Sequence, residues 1–150
     1  MSLFDFSHPI AIGGDHAGYE YKTRMIEYLK EKGYNVIDFG VGEAKSSDYP
    51  DFAHPVSEAD ETGQAAVGLL FCGSANGVCM TANKHQGIRA ALCWQTDVAK
   101  LSRQHNDANV MCIPCRFVAF ENARDMTDVF LSTEFEGGRH QKRVDKISCM

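Results

Sequence analysis

Short apolar runs alternate with stretches of helical periodicity along the chain. Pro9 to Ile12 reads as a strand. After G-G-D-H-A-G, the positions Tyr21, Met25, Tyr28 and Leu29 recur at helical spacing until Gly33, so strand, glycine loop, helix and glycine stop follow in order. The alternation repeats with a strand at Asn35 to Phe39, a loop carrying Ser46 to Pro50, a helix near Val56 to Gly63, a strand at Ala65 to Phe71 and a helix from Asn76 to Lys84. A strand at Ile88 to Leu92, a helix at Asp97 to His105, a strand at Asn109 to Ile113 and a helix at Val118 to Leu131 follow. Some strands are apolar throughout, the mark of a parallel sheet covered on both faces. The expected fold is α/β, a three-layer αβα sandwich with a Rossmann-like, mostly five-stranded parallel sheet.

With 150 residues and 44% hydrophobic content, the pattern fits one domain over residues 1–150, ending in a basic segment from about 136, E-G-G-R-H-Q-K-R-V. A formal net charge of -5 argues against nucleic-acid binding, which draws its affinity from clustered positive charge, so any cationic site is local. No apolar run approaches the roughly 20 residues of a membrane span, and the N-terminus lacks a charged region followed by an apolar one. The expected setting is cytoplasmic. Six cysteines at irregular positions suit reduced thiols rather than a disulfide framework. C-I-P-C, Cys112 to Cys115, has no second cysteine pair to complete a zinc site and falls in a strand-like run, so it reads as structural.

The candidate chemistry sits at loops. C-G-S-A-N-G, Cys72 to Gly77, follows a strand and opens a helix, where free backbone amides attract anionic oxygens and favour a thiolate. The alternative for Cys72 is a packed strand end. In an open parallel sheet, ligands bind beyond the carboxyl ends of the strands, where Asp15, His16, Cys72 to Gly77 and Arg116 would emerge. Asp15 and His16 suit ligand contact or proton transfer, or equally a helix cap with an exposed neighbour. Neither loop is a P-loop or G-x-G-x-x-G, since Tyr19 stands where Lys would follow. Arg139 and Arg143 lie four apart and could clamp a phosphate beside His140, or form a solvated basic tail. His105 ends a helix, as a cap or as an acid.

Taken together, G-G-D-H-A-G, D-Y-P, C-G-S-A-N-G, A-N-K, G-I-R-A, S-R-Q-H-N-D-A-N and E-G-G-R-H resemble the type B ribose-5-phosphate isomerase family, which includes galactose-6-phosphate isomerase subunits. The match runs from about residue 9 to 144. It implies a cofactor-free, metal-free aldose-ketose isomerase of the pentose phosphate pathway, acting through an enediolate as a homodimer or tetramer with shared active sites.

By motif position the resemblance makes Cys72 the base that moves a proton between C1 and C2. Val78 stands where some members carry a Glu base. Amides from Gly73 through Ala75 and Asn76 to Gly77 would stabilise the enediolate oxygens, with Ser74 donating to them. Ala75 departs from the usual Gly. His105 matches the residue that opens the furanose ring, and Asn106 a sugar contact. Asp15, His16 and Tyr49 resemble further substrate contacts. Arg116, Arg139 and Arg143 match the phosphate ligands, and three guanidiniums offset a dianion in an acidic protein. Because His105 precedes its strand, it falls at the opposite sheet edge from Cys72, and a second subunit is expected to complete the site. Ribose 5-phosphate is the leading substrate. Allose or galactose 6-phosphate is the first alternative, and a noncatalytic phosphate- or nucleotide-sensing module the second.

Overall fold

The computed structural model describes residues 3–40 and 48–149. Five parallel strands form one sheet: β1 (Ile10–Gly14), β2 (Val36–Asp38), β3 (Val67–Cys72), β4 (Ala90–Leu92) and β5 (Val110–Pro114), in the order β2-β1-β3-β5-β4. The helices are α1 (Tyr19–Glu31), α2 (Pro50–Glu61), α3 (Asn76–Ala82), α4 (Thr96–Asn106), α5 (Phe120–Ser132) and a single-turn α6 (Gln141–Val144).

Alternate strand residues feed two separate cores. Ile10, Ile12, Leu69, Phe71, Met111 and Ile113 pack with Met25 and Leu29 of α1, Ala99 of α4, and Phe120, Ala123, Met126 and Phe130 of α5. Ala11, Leu70, Val110 and Cys112 pack with Ala53, Val56 and Ala59 of α2 and Val78 and Ala82 of α3. A strand apolar at every position is what a sheet covered on both faces requires, and each fully buried Leu or Ile contributes about 1.5–3 kcal/mol. The three-layer α/β reading holds.

Strand order follows burial capacity. All five residues of β5, V-M-C-I-P, are buried, whereas the smaller A-A-L of β4 stays half-exposed at the edge. Most elements fall within two residues of the bounds expected from the sequence. The exception is α2, which starts at Pro50 rather than near Val56. Pro50 occupies the first turn, where a missing N–H costs nothing. Pro55 lies inside the helix, which holds because Phe52, Ala53, Val56, Ser57 and Ala59 are buried along one face. Part of the loop expected before it, Ser46 included, lies outside the described residues.

Two features bring β1 and its neighbours into position for a site. Lys22 of α1, 1% exposed, places its ammonium 2.9 Å from both carboxylate oxygens of Asp38, tying α1 to the end of β2. Gly18 presses the turn after β1 against β3. A β-carbon there would fall 2.3 Å from the Phe71 carbonyl oxygen, so only glycine permits the approach.

Candidate active site

Strand register builds the first half of the site. Gly14 pairs with Phe71, so the next residue after β1, Asp15, emerges beside Cys72, the last residue of β3. This is the crevice between β1 and β3, where the sheet order departs from chain order and open α/β folds take ligands. The Cys72 thiol donates to Asp15 Oδ2 at 2.9 Å. The other oxygen of Asp15 accepts the Gly18 amide at 3.0 Å and caps the short 3-10 turn His16–Gly18. One carboxylate thus fixes a turn and faces a thiol.

Burial, and after it the Asp15 carboxylate, push the Cys72 thiol up to about 11, against a weaker opposing pull from the amides of Gly73 and Ala75. The thiolate expected from the loop's amides is therefore overturned: at neutral pH resting Cys72 keeps its proton. The helix that follows has only seven residues, and a carboxylate in contact outweighs its first amides.

The loop after β3 is held from several sides. Ala75 is fully buried with φ 64°, the left-handed conformation for which glycine is the usual choice, and its methyl joins the α2–α3 core. Ser74 is exposed, and its Oγ accepts the Asn76 amide at 3.3 Å. Val78 is fully buried in the same core. Tyr49, 41% exposed, lies over Gly77, where a β-carbon would meet its ring at 2.4 Å. Arg116 follows β5, its amide donating to the Gly73 carbonyl at 3.0 Å and its side chain lying over Gly73. His16, Asn76 and Arg116 are exposed at this edge.

The remaining candidates gather at the opposite edge. His105 and Asn106 end α4, just before β5. Five strand residues at about 3.3 Å each put the two edges on the order of 15 Å apart. Arg139, His140 and Arg143 lie in the C-terminal turns, the Arg143 guanidinium donating to the Arg139 carbonyl at 3.4 Å. The His105 and His140 rings stack, with centroids 4.2 Å apart and planes 15° from parallel. Glu136 Oε1 lies 3.4 Å from His140 Nε2 and 3.9 Å from His105 Nε2.

Among the described residues, His105, Glu136 and His140 are the group whose donor atoms come within reach of a common metal ion. Stacked rings do not suit one. Ring lone pairs lie in the ring planes, and two nearly parallel planes cannot both contain a shared ion unless a ring turns. Two cavities, of about 400 and 350 Å³, run along the β4 edge between these regions, one walled by Asn76 and Cys79, the other by Arg89 and Asn106, with Asn83 common to both.

Cys79 packs against the α2–α3 core. Its half-buried thiol lines the first cavity, and a hydrogen bond from Cys112 lowers its pKa. Cys112 is fully buried and Cys115 half-buried, and neither forms a disulfide.

A family model described as Ribose/Galactose Isomerase matches residues 10–147. The chain belongs to this family. Among its relatives, a probable ribose-5-phosphate isomerase B of Mycoplasma pneumoniae is 46% identical over 142 residues, 94% of this chain and 93% of that protein. Ribose-5-phosphate isomerase B of Escherichia coli is 42% identical over 141 residues, 94% of this chain and 95% of the relative. The Mycoplasma genitalium ribose-5-phosphate isomerase B structure with bound ribulose-5-phosphate superposes with a TM-score of 0.91 at 43% identity, covering 95% of each chain.

Within the ribose/galactose isomerase framework, the sequence-expected residues divide cleanly. Asp15, His16, Tyr49, Cys72, the loop Gly73 to Gly77 and Arg116 share one edge, while His105, Asn106, Arg139 and Arg143 share the other. Two relationships had no local signal in the sequence. The Asp15–Cys72 hydrogen bond depends on strand register, and the approach of Glu136 to both histidines depends on where the C-terminal segment docks. Its anchor is the Glu136 amide, which donates to the Gln104 carbonyl at 3.1 Å.

Proposed function

We propose that this chain is a ribose-5-phosphate isomerase that interconverts ribose 5-phosphate and ribulose 5-phosphate. The observation that carries the reading is the Cys72 thiol, hydrogen-bonded to Asp15 where β1 and β3 diverge and faced by the Gly73 and Ala75 amides. In the forward direction the sulfur takes the C2 proton of the open-chain aldose and returns it to C1. Its own proton passes to Asp15 as the carbon proton arrives and returns to the sulfur once C1 is protonated, while the O2 hydroxyl proton moves to O1, so the pair holds no free thiolate at rest. The loop amides and Ser74 stabilise the enediolate oxygens, a contribution worth about 10²–10³ in rate for a single donor. The residue chemistry needs no cofactor.

The partition over two edges supports a shared site. Cys72, Asp15, Tyr49 and Arg116 of one copy would meet His105, Asn106, Arg139 and Arg143 of a second, so that the arginines hold the phosphate while His105 opens the ring. A homodimer is the smallest assembly that does this, and pairing of dimers into a tetramer is compatible with it. No described helix is long and apolar enough to cross a membrane. The six free thiols favour a reducing, cytoplasmic setting.

A six-carbon sugar phosphate is the second reading, favoured by the galactose branch of the family. The test is isomerisation of ribose 5-phosphate, allose 6-phosphate and galactose 6-phosphate in chelator-treated buffer, with Cys72→Ala beside wild type. Pentose turnover abolished by the substitution is expected. Selective hexose turnover would move the substrate, and turnover intact in Cys72→Ala would remove Cys72 as base.

A further inference from the structure

We propose that Glu136 is a positioning residue for ring opening, holding the stacked His105 and His140 imidazoles so that His105 is placed as the proton donor. The proposal rests on the isomerase reading above and adds to it a residue with no assigned part in the chemistry.

Geometry leads the argument. Both Nε2 atoms point toward the same oxygen of Glu136, at 3.4 Å from His140 and 3.9 Å from His105. The rings are almost parallel and in contact, so two imidazolium charges would face each other, with Arg139 and Arg143 on the same segment adding to the repulsion. Such a stack opposes a double positive charge on the pair. Of the remaining charged neighbours on α4, Arg103 is bound to Asp107 at 2.9 Å and is committed there.

The two rings differ in exposure. The His140 side chain is 11% exposed and that of His105 38%. Lost hydration, with His105 and Arg139 nearby, pulls the His140 pKa down, so His140 stays neutral. The same carboxylate lies 3.9 Å from His105, the more exposed ring and the one with a face open to a ligand. The Glu136 backbone supports the placement, because its amide is bonded to Gln104, the residue before His105.

Ring opening needs a proton donor. The C1–O4 bond of the cyclic hemiacetal breaks as O4 gains a proton from His105, and the electrons of the O1–H bond form the C1 carbonyl as that proton leaves to solvent. Solvent then reprotonates the imidazole, so no net proton is consumed. Ribulose 5-phosphate has no furanose form, because its C5 oxygen carries the phosphate. Its C1 proton therefore exchanges through the enediolate without any ring opening.

The experiment compares two rates in wild type, Glu136→Gln and Glu136→Asp: turnover of ribose 5-phosphate, and deuterium incorporation at C1 of ribulose 5-phosphate in D2O. A positioned general acid contributes about 10²–10⁴, of which losing the orienting carboxylate should forfeit about 10–100-fold. Glu136→Gln should lose that factor in ribose 5-phosphate turnover and keep C1 exchange within about twofold, with Glu136→Asp recovering part of the loss. Equal losses in both assays, or no loss in either, would overturn the positioning role. Absence of ribose 5-phosphate turnover in wild type would instead overturn the isomerase reading itself.

Discussion

Replacing Asp15 with Asn removes the charge that faces the Cys72 thiol and keeps the side-chain shape. The thiol stands near 11 against an ordinary value of 9.0, with burial the largest cause and the hydrogen bond and charge of Asp15 the next two. Burial survives the substitution, so the expected value lies between these limits, about one unit below the wild type. At pH 8 that raises the thiolate fraction about tenfold. Thiolate nucleophilicity falls by roughly threefold per unit of lost basicity, so the net gain in attack on an aromatic disulfide reagent is about three- to fourfold. The assay is the labelling rate from pH 7 to 11, with the Cys72→Ala background subtracted to remove exposed Cys149 and half-buried Cys79. Isomerase turnover should fall in the same variant, because the proton acceptor is gone, so reactivity and activity move in opposite directions. An unchanged or raised Cys72 titration in Asp15→Asn would refute the claim that Asp15 holds the thiol in its protonated form.

Three further outcomes are expected. The Asp60 carboxyl, pushed up to about 8 by burial and left with an unpaired Oδ2, binds its proton when folded but releases it near 3.8 when unfolded. Folding stability should therefore decline as pH rises from about 4 to 8, by at most about 4 kcal/mol at pH 7. Asp60→Asn should flatten that decline in a series of melting curves, and a variant that tracks the wild type would sink the account. Ala75→Gly relieves about 1–2 kcal/mol of left-handed strain but loses about 0.8 kcal/mol of methyl burial and 0.4–1 kcal/mol of chain entropy. Its stability in denaturant titration should stay within about 1 kcal/mol of wild type, and a larger loss would mean that the methyl packs better than its area implies. Finally, Cys72→Ala mixed with His105→Asn should regain about a quarter of wild-type turnover if sites are shared, since half the dimers are mixed and each has one intact site. Recovery of nothing after subunit exchange would place both residues of a site in one chain.

Much of this protein was legible in the chain alone, for a local reason. Apolar runs such as Ala65 to Phe71 and helical spacing such as Tyr21, Met25 and Leu29 report burial directly, because period 2 and period 3.6 map onto the faces of a sheet and a helix. The glycine-rich loops marked where the backbone must approach closely, as at Gly18. What local pattern misled about was equally physical. The helix expected only from near Val56 begins at Pro50, because a buried face carries it through Pro55.

The thiol's charge state, the company of His105 and the strand order were decided only in three dimensions. Amides at the start of α3 argue for a thiolate, and Asp15, brought alongside by the pairing of Gly14 with Phe71, reverses that. Glu136 reaches the histidines because a distant segment docks on α4. Proton affinity and orientation depend on the field of whatever lies within a few ångströms. Sequence spacing places residues on an element, but only the packing of elements determines which charges become neighbours.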